Sequence, residues 1–252
     1  MRGWWREIAG LVLPVACGGC GRVRTQLCEE CGRALYGRPP GRVRPVPEPA
    51  GLPVVHAAAP YGDAVRAVLL GHKERGVLGL ARPLGLALAG AVRAAVAAPS
   101  AASSAAAPSA GLGAGPLLLV PVPSSRRAVR ARGHDAARRI AMAAAAELRR
   151  TGTAARVLPV LRQRRSVSDQ SRLDARQRLA NMAGALEVVA GGGRALAAGR
   201  AVLVDDLMTT GASLVEAARA LPGHVGAAVV AAPPSSFTGP LSPLGTRAKY
   251  SK

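Results

Sequence analysis

The segment Ala201-Val-Leu-Val-Asp-Asp-Leu-Met-Thr-Thr-Gly-Ala-Ser213 brings two carboxylates, three hydroxyls and a glycine together in one short stretch. Asp205 and Asp206 close an apolar strand, and the carboxyl end of a buried strand faces the crevice where open α/β sheets bind ligands. Side by side, they can accept hydrogen bonds from vicinal hydroxyls such as those of a ribose. Thr209, Thr210 and Ser213 offer hydroxyls, and the backbone N–H groups around Ala212 at a helix start favour an anion. Gly211 lets the backbone approach the anion's oxygens. One loop would then hold both ends of a ribose 5-phosphate. The alternative is a plain strand-to-helix turn with Thr209 or Thr210 as its N-cap.

Two arginine-rich stretches accompany this loop. Arg126, Arg127, Arg130 and Arg132 follow Pro121-Val-Pro123, in what reads as a loop before a helix. Arg126, Arg127 and Arg132 can neutralise a pyrophosphate through charge-assisted bonds. Farther on, Arg164, Arg165, Gln170, Arg172, Arg176 and Asn181 form a polar, basic stretch between strands, suited to a lid or to contact with nucleic acid. Cys17, Cys20, Cys28 and Cys31 are all the cysteines of the chain. Two-residue spacers let each pair reach one tetrahedral ion, and four thiolates close its coordination, so a structural zinc is expected. Redox disulfides and an iron–sulfur cluster are the alternatives.

The elements that must position these groups follow from apolar patterning. Strands are expected at Leu117 to Val122, Arg156 to Val160, Ala185 to Val189, Ala201 to Val204 and Val225 to Ala231, after a first one near Pro53 to Ala59. Helices are expected at about Asp63 to Gly71, Val77 to Ala97, Asp135 to Arg150 and Ala212 to Leu221, and an amphipathic one at Trp4 to Leu13. Continuous apolar strands alternating with helices predict an α/β fold with a parallel sheet covered on both faces. The organisation is read as a helix and cysteine module at 1–36, a Pro- and Gly-rich linker at 37–52, and a main domain at 53–234. A low-complexity insertion falls at 98–115 and a disordered tail at 235–252.

With 34 basic against 14 acidic residues the chain carries a formal charge of +20, which favours anionic partners: a phosphorylated small molecule or a nucleic acid. Aromatic residues make up 2%, and none lies between Tyr61 and Phe237, which weakens base stacking as a means of holding single strands. Arg82, Pro83 and Arg93 interrupt the most apolar long stretch, so no membrane insertion is expected. Clustered cysteines suit a reducing, cytoplasmic setting.

The order of these parts resembles the ComF family, competence-associated proteins with a type I phosphoribosyltransferase-like domain. The matching residues are the two cysteine pairs; Tyr61, Arg66 and Lys73; Pro121, Pro123 and Arg132-Gly133; Gln170, Arg176 and Asn181; and Asp205 to Ser213. The resemblance spans about residues 4 to 232 without the insertion. It implies a phosphoribosyltransferase-type fold and a site for phosphoribosyl pyrophosphate (PRPP) with Mg2+, in which Asp205 and Asp206 hold the sugar and the Thr209–Ser213 loop holds the 5-phosphate. Many phosphoribosyltransferases have Asp where this chain has Thr209, which turns the expectation away from purine salvage. His134-Asp135 stands where the family usually has Phe-Asn. Two activities stay open: a transferase with an unspecified acceptor, and a non-catalytic adaptor for single-stranded DNA or competence proteins.

Overall fold

The computed structural model describes residues 15–98, 115–165, 174–221, 223 and 226–240. The expected helix at Trp4 to Leu13 lies outside these residues, as do Gln170, Arg172 and nearly all of the low-complexity insertion. Six strands form one sheet in the order β1-β2-β8-β7-β3-β4, where β1 is Gly41–Val43, β2 Val55–Pro60, β3 Leu117–Pro121, β4 Ala155–Val157, β7 Arg200–Leu207 and β8 Ala227–Ala232. All neighbours run parallel except β1, which is antiparallel to β2. Parallel strands buried on both faces need apolar residues throughout, and Leu118, Leu119, Val204 and Val230 have no exposure.

Successive residues along each strand serve opposite faces. Val202 and Val204 pack with α2 (Asp63–Lys73), α3 (Ala81–Ala97) and α5 (Ala136–Arg150), whereas Ala201 and Leu203 pack with α8 (Ala212–Ala220) and the segments around it. The expected helix at Val77 to Ala97 divides into a 3-10 turn at Leu78–Leu80 and α3. Although Leu78–Ala97 is long and apolar enough to cross a bilayer, Leu84, Leu88 and Val92 are buried in the core. With a single Phe in the chain, close approach replaces bulk: a Cβ on Gly85 of α3 would collide with Ala143 and the α5 backbone.

Several expectations need correction. The apolar run at Ala185 to Val189 does not join the parallel sheet; β6 (Leu186–Val188) pairs antiparallel with β5 (Leu161–Gln163) in a separate two-stranded sheet. Glu187 would be unpaired between two buried neighbours, whereas at this edge it meets Arg162 at 2.8 Å. The expected strand to Val160 ends at Val157, before Pro159. The stretch 37–52 is no plain linker, because it contains β1, and Val43 is buried. Nor does it separate two cores: Leu35, from α1 (Glu29–Tyr36), joins the cluster of α2 and α3. The tail expected from residue 235 is ordered over its first six residues, where Phe237 bridges to Val43 and packs on the core.

The arginine stretch after β3 is helical too. Arg126–Arg132 forms α4, begun by the Ser125 hydroxyl accepting the Ala128 N–H at 3.1 Å and ended by Gly133 in the left-handed region at φ 74°. Within the second basic stretch lies α6 (Ala175–Met182), started by a reciprocal cap between Asp174 and Gln177. A five-residue α7 (Gly192–Leu196) precedes β7.

Candidate functional site

β7 lies between β3 and β8, and this central position fixes the backbone that carries Asp205 and Asp206 at its carboxyl end. Asp206 is buried and paired with Lys73 at the end of α2, with Nζ 2.7 Å from Oδ2 and 3.0 Å from Oδ1. Asp205 is partly exposed and accepts the Asp206 backbone N–H at 2.8 Å. Burial and the neighbouring Asp206 carboxylate push the Asp205 carboxyl from 3.8 up to about 8, against the pull of Lys73. Lys73 itself is shifted upward: burial works against its charge, but the attraction of Asp206 and Asp205 outweighs it. With the Asp205 carboxyl raised and Lys73 opposite Asp206, the group carries little net charge, and each carboxyl keeps lone pairs for a ligand hydroxyl.

The chain then turns through Thr209 and Thr210 into α8. Gly211 occupies the N-cap position at φ 77°, and a Cβ there would fall 2.8 Å from Leu52 Cδ1. The left-handed backbone favours glycine, and a side chain would also press on the Leu52 methyl. Leu52 belongs to the stretch read as linker, which therefore supports this loop. No side chain caps α8, so its first N–H groups remain available to an anion. Thr209 is exposed, and its hydroxyl receives the Arg178 guanidinium at 3.3 Å.

A cleft of about 890 Å³ lies beside this loop, lined among others by Lys73, Ser124, Ser125, Arg126, Arg127, Arg132, Gln163, Arg164, Arg165 and Ser213. Both arginine stretches and one residue of the hydroxyl loop thus meet at one cavity. Asp205, Asp206, Thr209 and Thr210 are not among its walls; Lys73 is the residue that joins the cleft to the acidic pair.

The expected arginines differ in what already holds them. Arg132 also lines the cleft and is bound through two nitrogens by Glu74, Nη2 at 3.0 Å and Nε at 3.1 Å. Arg165 donates to the Asn181 and Ala183 carbonyls at 2.9 and 2.8 Å and so caps the end of α6. Arg126 and Arg127 are exposed at the cleft, and Arg176 is exposed on α6. Asp135 caps α5 through the Arg138 N–H at 3.1 Å, and His134 lies between the carbonyls of Arg132 and His72, each at 3.1 Å.

Lys73 and Glu74 are the site residues that sequence reasoning left without a role. Lys73 stood in the family pattern with Tyr61 and Arg66 but without a role; it is also one of three lysines in an arginine-rich chain.

Away from the cleft, the sulfurs of Cys17, Cys20, Cys28 and Cys31 all lie within 4.8 Å of one another, with Cys20 and Cys28 at 3.6 Å. Thiolates around one tetrahedral ion at about 2.3 Å would be separated by about 3.8 Å, so the four are positioned to bind a metal ion. The turn is tight: a Cβ on Gly19 would fall 2.5 Å from Cys31 Sγ, and the Cys28 N–H points at Cys17 Sγ from 3.3 Å. Burial opposes ionisation of Cys17, but the N–H groups of Cys20, Cys28 and Gly19 bring it down to about 6, whereas burial drives Cys31 upward.

No protein-family model matches the chain and no curated protein matches it, so the functional reading rests on its own residues.

Proposed function

We propose that this chain is a ComF-type, phosphoribosyltransferase-like protein whose acidic loop binds PRPP, with a structural zinc held by its four cysteines. The observation that carries the reading is the acidic pair at the end of a central parallel strand, followed by a left-handed Gly211 that opens α8 beside a cationic cleft. Asp205 and Asp206 would hold the ribose hydroxyls. The hydroxyls of Thr209, Thr210 and Ser213, with the N–H groups at Ala212, would hold the 5-phosphate, and Arg126 and Arg127 would face the pyrophosphate. In a transfer, the bond from ribose C1 to the pyrophosphate oxygen breaks as one to an acceptor forms. The chain's own contribution is then to fix the sugar and stabilise the departing charge. Mg2+ would arrive with the pyrophosphate. Four thiolates leave no open coordination position, so the zinc supports the fold and takes no part in the reaction.

One observation favours a second reading, a non-catalytic adaptor for single-stranded DNA. The Arg162 and Arg164 side chains on and beside β5 are 57% and 71% exposed and, among the described residues, share Glu187 as their acidic partner. Titration calorimetry with PRPP and Mg2+, and separately with an oligonucleotide, decides between them. Saturable PRPP binding lost in Asp206→Asn supports the first; oligonucleotide binding without PRPP binding supports the second.

A further inference from the structure

The cysteine knuckle and the acidic loop sit at two ends of one connection through α2. In the first turn of α2, Ala64 packs against the cluster of Cys17, Cys28 and Cys31, and a Cβ on Gly19 would fall 3.5 Å from the Ala64 carbonyl oxygen. In the last turn, a Cβ on Gly71 would lie 3.9 Å from the Gly18 carbonyl oxygen and 3.0 Å from Leu80 Cδ1, and Leu80 also lies against Gly18. The adjacent residues Gly18 and Gly19 therefore touch α2 both near its start, at Ala64, and near its end, at Gly71, positions about 10 Å apart along the helix. At Gly19 a side chain would meet Cys31, with Sγ at 2.5 Å and Cβ at 2.9 Å, so the approach there depends on glycine. Where α2 stops, Lys73 binds Asp206 of β7 and Glu74 binds Arg132 of α4. Two consecutive residues of opposite charge, tied to two different elements, fix both the reach and the rotation of the helix end.

We propose that α2 is a strut through which metal occupancy of the knuckle positions the acidic loop, with Lys73 as the positioning residue. Without the metal, nothing holds the four sulfurs to one centre and the knuckle loosens; α2 then loses its support at Ala64 and Gly71, and the Lys73–Asp206 pair opens. The inference rests on the reading of the cysteines as a metal site and extends it to control of the proposed ligand site. A knuckle that merely adds stability would loosen the whole sheet evenly. A strut affects one path and spares the rest.

Hydrogen exchange on the full chain, with zinc bound and after chelation, separates the two. Chelation should speed exchange in residues 63–73 and in 203–210 by about tenfold or more while β3 and β8 change little. In Lys73→Met the 203–210 segment should exchange fast in both states and no longer respond to chelation, while 63–73 still responds. Lys73→Arg should restore the response. The strut is overturned if 203–210 ignores chelation, if Lys73→Met keeps the response, if β3 and β8 accelerate equally, or if zinc does not alter exchange in α2. None of these measurements uses a ligand, so calorimetry with PRPP and Mg2+ on the same preparation judges the proposed function separately.

Discussion

Replacing Asp205 with Asn tests the electrostatics of the acidic loop. Asn keeps the shape of the side chain and an oxygen for the Asp206 N–H, but it cannot ionise. The Asp205 carboxyl is raised from 3.8 to about 8, first by burial and then by Asp206. A carboxyl whose pKa is higher in the folded state binds its proton more tightly there, so its contribution to stability falls as pH rises from about 4 to about 8 and is level above that. Taken whole, a shift of about four units corresponds to about 5–6 kcal/mol. Asp205 keeps some contact with solvent, and screening reduces the expected effect to about 2–3 kcal/mol. Asp205→Asn should therefore match the native chain near pH 4–5 and exceed it by that amount at pH 8, a gain of roughly 5–10 °C in Tm for a chain of this size. Urea unfolding followed by circular dichroism at one-unit pH steps measures it. Parallel stability curves, or a variant less stable at pH 8, would show that Asp205 is ionised and held by Lys73, and the argument would fail.

Millimolar PRPP with Mg2+ should stabilise the native chain, by roughly 2.7 kcal/mol at 100 times its Kd, and should leave the Asp205→Asn, Asp206→Asn double variant unchanged in a thermal melt. Gly211→Ala should lose about 1–2 kcal/mol from its left-handed backbone alone, and adding Leu52→Ala should recover only what the side-chain collision contributes, as read by urea unfolding. Elemental analysis of protein prepared without added metal should find one zinc per chain; iron, or less than about half an equivalent of zinc, counts against the four-thiolate site. If an oligonucleotide binds, Arg164→Ala with Arg176→Ala should flatten the salt dependence by about 1.4 in logarithmic slope, whereas Arg165→Ala should lower stability because it uncaps α6.

The parallel core was legible in the sequence because strands such as Leu117–Pro121 and Ala227–Ala232 are apolar at every position, which solvent-facing strands cannot be. The turn at Gly211 was legible for a local reason: carboxylates, hydroxyls and glycine follow one another, and their geometry is set within a few residues. What escaped depended on partners distant in the chain. Ala185 to Val189 has the composition of a core strand, and only the Arg162 side chain opposite Glu187 explains its place at an edge. Arg126 to Arg132 looked like a loop because its charges hide a Ser125 cap and a Gly133 stop, both of which were present to be read. Lys73 was singled out by the family pattern, but its partner, 133 residues away, could not be named without the fold.

The fate of the arginines follows from a shortage of acids. With 34 bases and 14 acids, most cations have no anionic partner within the chain, and the acids decide which cations are fixed. Glu74 holds Arg132, Asp206 holds Lys73, Glu216 holds Arg219, and Glu187 is shared by Arg162 and Arg164. Glu216 is the most buried of these, and it also accepts the Leu186 N–H at 2.9 Å, so it ties α8, just past the hydroxyl loop, to the small sheet carrying Arg164. Acids in this chain thus mark the joints of the site, and Arg126 and Arg127 at the cleft have no acidic partner among the described residues. A phosphate-rich ligand would bind there without first breaking an internal ion pair. At Arg132 it would have to displace Glu74, and a charge-assisted pair bound through two nitrogens is the kind least readily given up.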